Sequence, residues 1–388
     1  MKLALWLFCT AIVGGQMAGL LLAYLNGLWI VDESGRPLMT DFMGYWSAGL
    51  SVLRGNPAAA YDWDAIYGLQ HEIAPGAFGF APFPYPPTFL LIATPLSALP
   101  YDLAFLLFVG LTLAAYIVVI WLIAKKTTAV ALAIAAPATF VAASIGQGGL
   151  LWAALIGATL LSLETRPALA GAFLGLLTLK PHLGVLFPII LAVNRKWHVF
   201  LYASVTAILL ALLAAIIFGY DTYPAALESM SKSANIGLNT GYNLGTEGWM
   251  KLHSVYGAAR SLGLDNTAAI TLQVGVAIAT LSAVMWIWRE TDSHALRAAA
   301  ASASTLIFTP HVFLYDYTIL AVATAFLYRD RPFNQTEWGV VIASHAMIAI
   351  LSRYPVPIGF VAPLILIAIT LWRVRTHLPQ GSVRGSPA

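Results

Sequence analysis

The sequence predicts an all-α fold, a polytopic transmembrane helical bundle of about 12 spans, and three observations carry that prediction. Of the 388 residues, 60% are hydrophobic and only 10% are charged, whereas a soluble domain carries about 25% charged residues. The mean hydropathy is +0.80. Apolar stretches approaching the roughly 20 residues that cross a bilayer recur along almost the whole chain. Lipid is therefore the expected surrounding of most of this protein.

The expected spans follow the apolar runs in chain order, and several are shorter than a full crossing. The run that begins after Lys2 continues to about Ile30 without a clear small-residue cleavage site, so we expect a retained first span. Where a polar motif interrupts a span, its backbone must be buried in protein or line a water-filled cavity. The expected spans are 4–30, 101–124, 128–144, 150–163, 167–179, 182–194, 198–218, 267–288, 295–310, 312–327, 337–352 and 356–372.

The distribution of basic residues predicts the orientation, because cytoplasmic loops of membrane proteins carry the excess of lysine and arginine. With the N-terminus in the cytoplasm, 13 of the 20 basic residues fall inside. Both termini are then cytoplasmic, in a multi-pass protein of the cell inner membrane. The inside set is Lys2, Lys125, Lys126, Arg166, Arg195, Lys196, Arg289, Arg297, Arg329, Arg331, Arg373, Arg375 and Arg384.

The chain is expected to form one integral membrane domain, 1–377, with no soluble catalytic domain and no convincing tandem repeat. In the orientation above, two long polar stretches, 31–100 and 219–266, face the external or periplasmic side. Residues 378–388 are expected to be a disordered cytoplasmic tail. Within the first stretch, 87–99 follows a proline-rich segment and is too short to cross, so we expect a re-entrant or interfacial piece.

A helix is predicted at 41–54, where the sequence reads DFMGYWSAGLSVLR. Its larger apolar side chains recur at helical spacing and share one face. A helix of this kind is expected to lie along the membrane surface. The side chains on the face are Met43, Trp46, Leu50 and Leu53.

Ionisable groups beside apolar spans are costly, so each is a candidate functional residue. Asp41 opens the predicted helix directly after Thr40, where a carboxylate also suits a helix N-terminus. Catalysis and simple capping therefore both remain open for Asp41. Gln147 lies in GQGG at 146–149, between two spans, where a turn residue is the simpler interpretation.

Lys180 and His182 interrupt the apolar run 167–193 at its predicted external turn. A lysine at low dielectric needs an anion nearby. A lipid-linked phosphate is a suitable anion, and the alternative is a lysine that snorkels to the outer interface. Both interpretations place the lysine at the membrane edge.

A second polar motif, TPHVFLYDY at 309–317, places His311 and Asp316 at another external membrane edge. They are five residues apart, slightly off one helical face, so their mutual pairing remains open. The chain has no P-loop, no G-x-G-x-x-G fingerprint and no H-E-x-x-H motif. We therefore expect no cofactor and no metal. Scattered basic residues and a net charge of +3 predict no nucleic-acid partner.

Taken in chain order, the motifs resemble glycosyltransferase family 87, the DUF2029-type branch of the membrane-embedded GT-C superfamily. The resemblance extends across most of the chain and implies a GT-C-type fold. It implies transfer of a hexose, as in the polyprenyl-phosphate-mannose-dependent alpha-mannosyltransferases of this family. The motifs are DFMGYWSAGLSVLRG at 41–55 with Tyr61-Asp62, YPPTFLLIATPLSALP at 85–100, GQGG at 146–149, LAGAFLGLLTLKPHLGVL at 169–186 and TPHVFLYDY at 309–317.

The resemblance also implies roles for individual residues. Asp41 is expected to be the general base that activates an acceptor hydroxyl, while the polyprenyl phosphate leaves as an anion that needs no protonation. A single displacement of this kind inverts the anomeric centre. Lys180, His182 and His311 are expected to bind the donor phosphate as its charge grows. The residues expected to bind substrate are Tyr45, Trp46, Tyr61, Asp62, Tyr85, Gln147, Tyr315 and Asp316.

Two other functions remain open from the sequence. A secondary transporter or a flippase of lipid-linked sugars would also contain broken helices and buried charges, but it does not need a large external loop with an isolated aspartate. A scaffold subunit would leave Asp41, Lys180 and His311 without a shared task. The expected partners are a polyprenyl-phosphate sugar donor, a lipid or glycan acceptor and membrane lipids, and the sequence predicts no oligomeric state.

Overall fold

A computed structural model describes residues 2–76, 79–239, 249–351 and 357–377, and these residues are mostly helical. The all-α prediction is therefore confirmed, while the expected tail at 378–388 lies outside the described residues. Short 3-10 turns occur at Pro57–Tyr61, Pro87–Phe89, Leu177–Leu179, Pro181–Leu183 and Leu314–Thr318. The helices are α1 (Lys2–Leu25), α2 (Phe42–Leu53), α3 (Trp63–Ile73), α4 (Leu90–Ser97), α5 (Tyr101–Ala124), α6 (Thr127–Ala135), α7 (Pro137–Ile145), α8 (Gly149–Ser162), α9 (Pro167–Leu176), α10 (Leu186–Val193), α11 (Trp197–Phe218), α12 (Thr222–Asn239), α13 (Val255–Ser261), α14 (Asn266–Glu290), α15 (His294–Thr305), α16 (Ile319–Asp330), α17 (Gln335–Leu351) and α18 (Val361–His377).

Four helices in the described part of the chain are long and apolar enough to cross a membrane, namely α1, α5, α11 and α14. A fifth crossing results if α6 and α7, bent by 58°, form one span. The bend lies at Pro137, whose ring cannot continue the preceding helix. The predicted count of about 12 is not confirmed, because other expected crossings contain shorter helices. One of these, α8, has 14 residues and reaches about 21 Å at 1.5 Å per residue.

The helices differ sharply in how much of their surface is buried. In each of α1 and α11, only 6% of an apolar stretch of 18 residues is buried inside the protein. By contrast α8 lies in the centre, where it packs against α5, α9 and α16, and Leu150, Trp152 and Ile156 on it are not exposed at all. Apolar surface as extensive as that of α1 and α11 is stable only against another apolar phase. The protein is therefore a membrane protein with α8 at its core.

The predicted helix at 41–54 is present as α2, with several side chains buried inside the protein, while its position along the membrane surface stays a prediction. Met43 is fully buried, and so are Phe42 and Tyr45 outside the predicted apolar face. A close contact with α4 explains the burial, since a Cβ at Gly49 would lie 2.3 Å from the carbonyl oxygen of Ala93. Only a residue without a side chain permits this approach. The helix is therefore part of the core and brings its N-terminus to a fixed place.

The two polar stretches predicted to be external contact each other. Nε1 of Trp63, on α3, donates a hydrogen bond to Oγ of Ser229, on α12, at 2.9 Å. Nζ of Lys232 lies 4.6 Å from the centre of the Trp63 ring. Helix α12 also packs against the turn at Pro57–Tyr61. The two stretches therefore lie on the same side of the bundle.

At the C-terminal end of α16 the structure contains a network of ion pairs, which we call the Arg373 network. Nε of Arg373 is 2.8 Å from Oε1 of Glu337, and its Nη1 is 3.4 Å from Oδ2 of Asp330. Arg331 contacts both oxygens of Glu337, at 3.0 and 3.1 Å. Oγ of Ser293 donates to Asp330 at 2.7 Å. The network fastens α18 and the start of α15 to the link between α16 and α17.

Candidate active site

Asp41 lies at the N-cap position of α2, yet its carboxylate forms no capping hydrogen bond with that helix. It accepts a hydrogen bond from Nε2 of Gln147 at 2.9 Å, although the two residues are 106 positions apart. The side chain is exposed, so a ligand can reach it. The surrounding protein nevertheless desolvates the carboxylate and raises its pKa, while the Gln147 hydrogen bond and the charges of Lys251 and Lys180 oppose that shift. Helix capping is therefore not what orients Asp41.

Gln147 is itself held by two tyrosines. Its Oε1 accepts hydrogen bonds from the hydroxyl of Tyr45 at 2.6 Å and from that of Tyr85 at 3.3 Å. The two phenolic oxygens are 2.8 Å apart. All three side chains are buried, so the tyrosines support the amide from behind and direct its NH₂ group at Asp41. Gln147 is thus more than a turn residue.

The turn that carries Gln147 also contacts the second polar motif. Oγ1 of Thr318 donates a hydrogen bond to the carbonyl oxygen of Gly149 at 2.8 Å. A Cβ at Gly149 would lie 2.1 Å from the carbonyl oxygen of Tyr315, so this contact requires glycine. The GQGG turn therefore joins Asp41 on one side to the 315–318 segment on the other.

Lys180 and Asp316 form a buried ion pair in which Nζ is 2.6 Å from Oδ1. The backbone N–H of Phe313 donates to the second carboxylate oxygen at 3.1 Å. Nζ also lies 4.9 Å from the centre of the half-buried Tyr315 ring. Snorkelling does not describe Lys180, because the side chain is buried and paired. The partner of Asp316 is therefore Lys180.

The break predicted at Lys180 is present, since two 3-10 turns, Leu177–Leu179 and Pro181–Leu183, flank it. Beside the ion pair, the ring centres of His182 and His311 are 6.4 Å apart. Nε2 of His182 has no hydrogen-bond partner among the described residues. Burial lowers the pKa of His311 to about 4, and the charge of Lys180 acts in the same direction. At neutral pH the His311 imidazole is therefore uncharged, and it offers hydrogen bonds instead of a positive charge.

A segment that sequence reasoning missed, KLHS at 251–254, joins the cluster. The backbone N–H of His253 donates to the carbonyl oxygen of Val312 at 2.8 Å, and Oγ of Ser254 donates to that of Pro310 at 2.8 Å. His253 is buried, and its Nδ1 has no partner in the described ranges. Lys251 is exposed, and its charge acts on Asp41. The only sequence signal was a lysine and a histidine two positions apart, without an apolar span beside them.

Three residues that the resemblance assigned to substrate binding have other contacts. Nε1 of Trp46 donates to the carbonyl oxygen of Leu99 at 3.1 Å. The ring of Tyr61 packs against Phe83, with 5.6 Å between ring centres. Asp62 is exposed and caps α3 by accepting hydrogen bonds from two backbone N–H groups, at 2.9 and 3.2 Å. These contacts lie within the first polar stretch, and none of them involves Asp41.

The polar residues brought together here, which we call the Asp41 cluster, combine exposed and buried groups; they are Asp41, Tyr45, Tyr85, Gln147, Lys180, His182, His253, His311 and Asp316. Asp41 is exposed, and His182 and His311 are half-buried, so a ligand can contact these three side chains. Tyr45, Tyr85, Gln147, Lys180 and Asp316 are buried and hold the others in place. Within the described ranges, no three histidine, cysteine, aspartate or glutamate side chains come close enough to hold a metal ion. This arrangement is suited to proton transfer at Asp41 and to hydrogen bonding between the imidazoles of His182 and His311 and an oxyanion.

Fold and site together define a helical membrane protein with a carboxylate-centred polar cluster at one end of its bundle. The family model for glycosyltransferase family 87 matches residues 83–314, which are 232 of the 388 residues. The chain belongs to glycosyltransferase family 87 and is a membrane glycosyltransferase. No curated protein matches the chain, and no solved structure does. Lys180, His182 and His311 lie inside the matched region, whereas Asp41 precedes it.

Proposed function

We propose that the protein transfers a hexose, with mannose as the first candidate, from a polyprenyl-phosphate sugar to a lipid-linked or glycan acceptor. The observation that carries this proposal is the exposed carboxylate of Asp41, oriented by Gln147 at 2.9 Å. A general base must be reachable by the hydroxyl that it deprotonates, and a raised pKa brings it closer to the working pH. Asp41 meets both conditions. Direct attack of the activated hydroxyl on the anomeric carbon inverts that centre.

In this proposal the donor phosphate binds at His182 and His311, with Lys180 behind them. Neutral imidazoles donate hydrogen bonds to phosphate oxygens, and an anion beside a histidine favours its protonated form. As the sugar leaves, negative charge grows on the phosphate, and the fixed cation of Lys180 stabilises it electrostatically. The ion pair with Asp316 keeps that cation in place before the donor arrives.

An apolar cavity supports a lipid-linked donor. It has a volume of about 240 Å³, lies between α9 and α11, and includes Pro181 in its lining. Pro181 lies between Lys180 and His182 in the sequence, and we therefore assign the hydrocarbon tail of the bound donor to this cavity. A nucleotide sugar has no group that would use such a cavity.

We also propose the GT-C arrangement of about 12 spans, with both termini cytoplasmic and the site on the external or periplasmic face. The contact between Trp63 and Ser229 supports a common side for the two polar stretches, and the basic residues give the side. In a Cys9→Ala background, cysteines placed at the exposed Asp62 and Glu228 should react with a membrane-impermeant maleimide in intact cells. Reaction only after the membrane is opened would place the site in the cytoplasm.

The transfer itself is tested with purified protein and a panel of polyprenyl-phosphate sugars, with native membrane lipids as acceptors. We expect mass spectrometry to detect a lipid heavier by one hexose, and mannose to be used in preference to other sugars. Donor-dependent movement of lipid-linked sugar across proteoliposomes without any glycosylated product would instead indicate a flippase. A nucleotide sugar that replaces the lipid-linked donor would contradict the proposed donor class.

A further inference from the structure

A second cavity, of about 200 Å³, lies among α1, α6, α7, α16 and α17. Its lining is almost wholly apolar. Two of its polar side chains, Thr324 and His345, bond to each other at 3.0 Å and so need nothing from a ligand. An apolar cavity of about 150 Å³ in a protein stays dry and binds benzene or xenon. The expected occupant here is therefore a hydrocarbon segment.

This cavity is separate from the candidate active site. Asp316 precedes the start of α16, whereas the cavity lies along the rest of that helix as far as Tyr328 and is bounded by Phe333 and Trp338. Those two aromatic rings are 5.1 Å apart and adjoin the Arg373 network. The cavity therefore occupies the end of the bundle that the basic residues place in the cytoplasm.

The mouth of the cavity opens toward the membrane. Two of its lining residues, Phe8 on α1 and Ile342 on α17, are 58% and 42% exposed. Helix α1 is itself scarcely buried, so the gap between α1 and α17 faces the surrounding lipid. A lipid chain can enter from the side without crossing a polar region.

Two lysines precede the helix that forms one wall of the cavity. Lys126 directly precedes α6, and Thr128 in the first turn of that helix lines the cavity. Lys125 and Lys126 are exposed, and neither forms an ion pair within the described part of the chain. Basic residues at the cytoplasmic surface attract anionic headgroups. The apolar cavity and the lysine pair thus point to the two parts of one ligand.

We propose that this cavity binds one acyl chain of an anionic diacyl phospholipid whose phosphate lies at Lys126. The second acyl chain remains in the bilayer at the mouth between Phe8 and Ile342. The volume of about 200 Å³ holds part of one acyl chain. The site is independent of sugar transfer, because it shares no residue with the Asp41 cluster.

Photo-crosslinking of the full-length protein in phosphatidylcholine nanodiscs tests the site. The probe is phosphatidylglycerol with a diazirine in one acyl chain. We expect crosslinks on the peptides that contain Cys9 and 321–328, in excess of those on the lipid-facing α11, and competition by unlabelled phosphatidylglycerol. Equal labelling of α11, equal competition by phosphatidylcholine, or stronger competition by polyprenyl phosphate would each overturn the proposal.

Three variants sharpen the test. Lys126→Gln should weaken crosslinking about fivefold, the worth of one basic residue near an anionic surface. Arg289→Gln removes a cationic side chain that is 84% exposed and lies 3.9 Å from Glu290. Arg289 is not among the residues that line the cavity, so its loss should change nothing. Ala325→Phe fills the cavity and should abolish the crosslinks. If Ala325→Phe fails to fold, Lys126→Gln still tests the proposal. Unchanged crosslinking in Lys126→Gln would contradict the assigned headgroup position.

Discussion

The two ends of α16 carry charged clusters of opposite construction. In the Arg373 network, each carboxylate faces an arginine, and Arg373 itself is completely buried, although its Nη2 has no hydrogen-bond partner among the described residues. In the Asp41 cluster, the one ion pair lies behind groups that remain open: Asp41 is exposed, and Nε2 of His182 and Nδ1 of His253 have no partner among the described residues. Charges that satisfy one another hold helices together. Polar groups left open near a balanced pair are available for a ligand.

The largest expected effect is that of Asp41→Asn. Asparagine keeps the volume and, because Asp41 forms no capping bond, the helix loses nothing, so stability should be unchanged. Without the proton acceptor, transfer should fall by roughly 10²–10⁴-fold, the usual worth of acid–base catalysis. Single-turnover assays with bound donor measure this loss.

Asp62→Asn is the matched control for that experiment, because asparagine caps α3 about as well as aspartate. It should leave transfer and stability close to normal. Full activity in Asp41→Asn would exclude Asp41 as the base, and a loss in Asp62→Asn would make Asp62 the next candidate.

Arg373→Met should give the opposite phenotype. It leaves the buried Glu337 with Arg331 alone and the half-buried Asp330 without its arginine, and breaking a buried pair typically costs about 3–5 kcal/mol. We expect a much lower thermal denaturation midpoint, with the turnover number per folded molecule retained. A folded variant that is stable but inactive would remove the distinction between the two clusters.

The Lys180–Asp316 pair is expected to affect both activity and stability, and a double variant separates these two effects. Lys180→Met alone leaves the Asp316 carboxylate buried without a cation, so both stability and donor use should fall. In Lys180→Met/Asp316→Asn the uncompensated charge is gone, and stability should recover by a few kcal/mol. Donor binding should stay weak, as measured by the KM for the polyprenyl-phosphate sugar. Recovery of donor binding together with stability would make the pair purely structural.

The smallest expected effect concerns Gln147→Met, which removes the hydrogen bond that opposes the raised pKa of Asp41. As a base, Asp41 must be deprotonated, so kcat/KM should rise with pH through its pKa. Losing this hydrogen bond to the charged form should move that inflection to higher pH. A lower rate with an unmoved inflection would mean that Gln147 only supports the turn.

Local features of this protein were predictable from the sequence. The helix at 42–53 has helical periodicity, and the break at Lys180 follows from Pro181, which ends a helix whatever surrounds it. The identity of Asp41, Lys180 and His311 as candidates came from the cost of charge beside apolar spans. These inferences use only neighbours in sequence.

What the sequence did not predict depends on contacts between distant segments. The burial of α2 rests on Gly49 meeting Ala93, and a periodic apolar face does not distinguish lipid from another helix. The partners of Asp41 and Lys180 lie 106 and 136 positions away. His253 and Lys251 lie in a polar stretch of the sequence, where an ionisable side chain has no evident desolvation cost. Each of these needed the tertiary structure.

The 136-residue separation of Lys180 from Asp316 has a consequence for biogenesis. At a synthesis rate of about 5–20 residues per second, the ribosome needs roughly 7–27 s to add the aspartate after the lysine. During that interval Lys180 has entered the insertion machinery without its carboxylate, in a segment of otherwise apolar sequence. We expect nascent chains truncated before Asp316 to expose Lys180 to amine-reactive reagents and to be degraded faster than chains that extend past it. The completion of this protein in the membrane thus depends on a late step, the arrival of a single carboxylate.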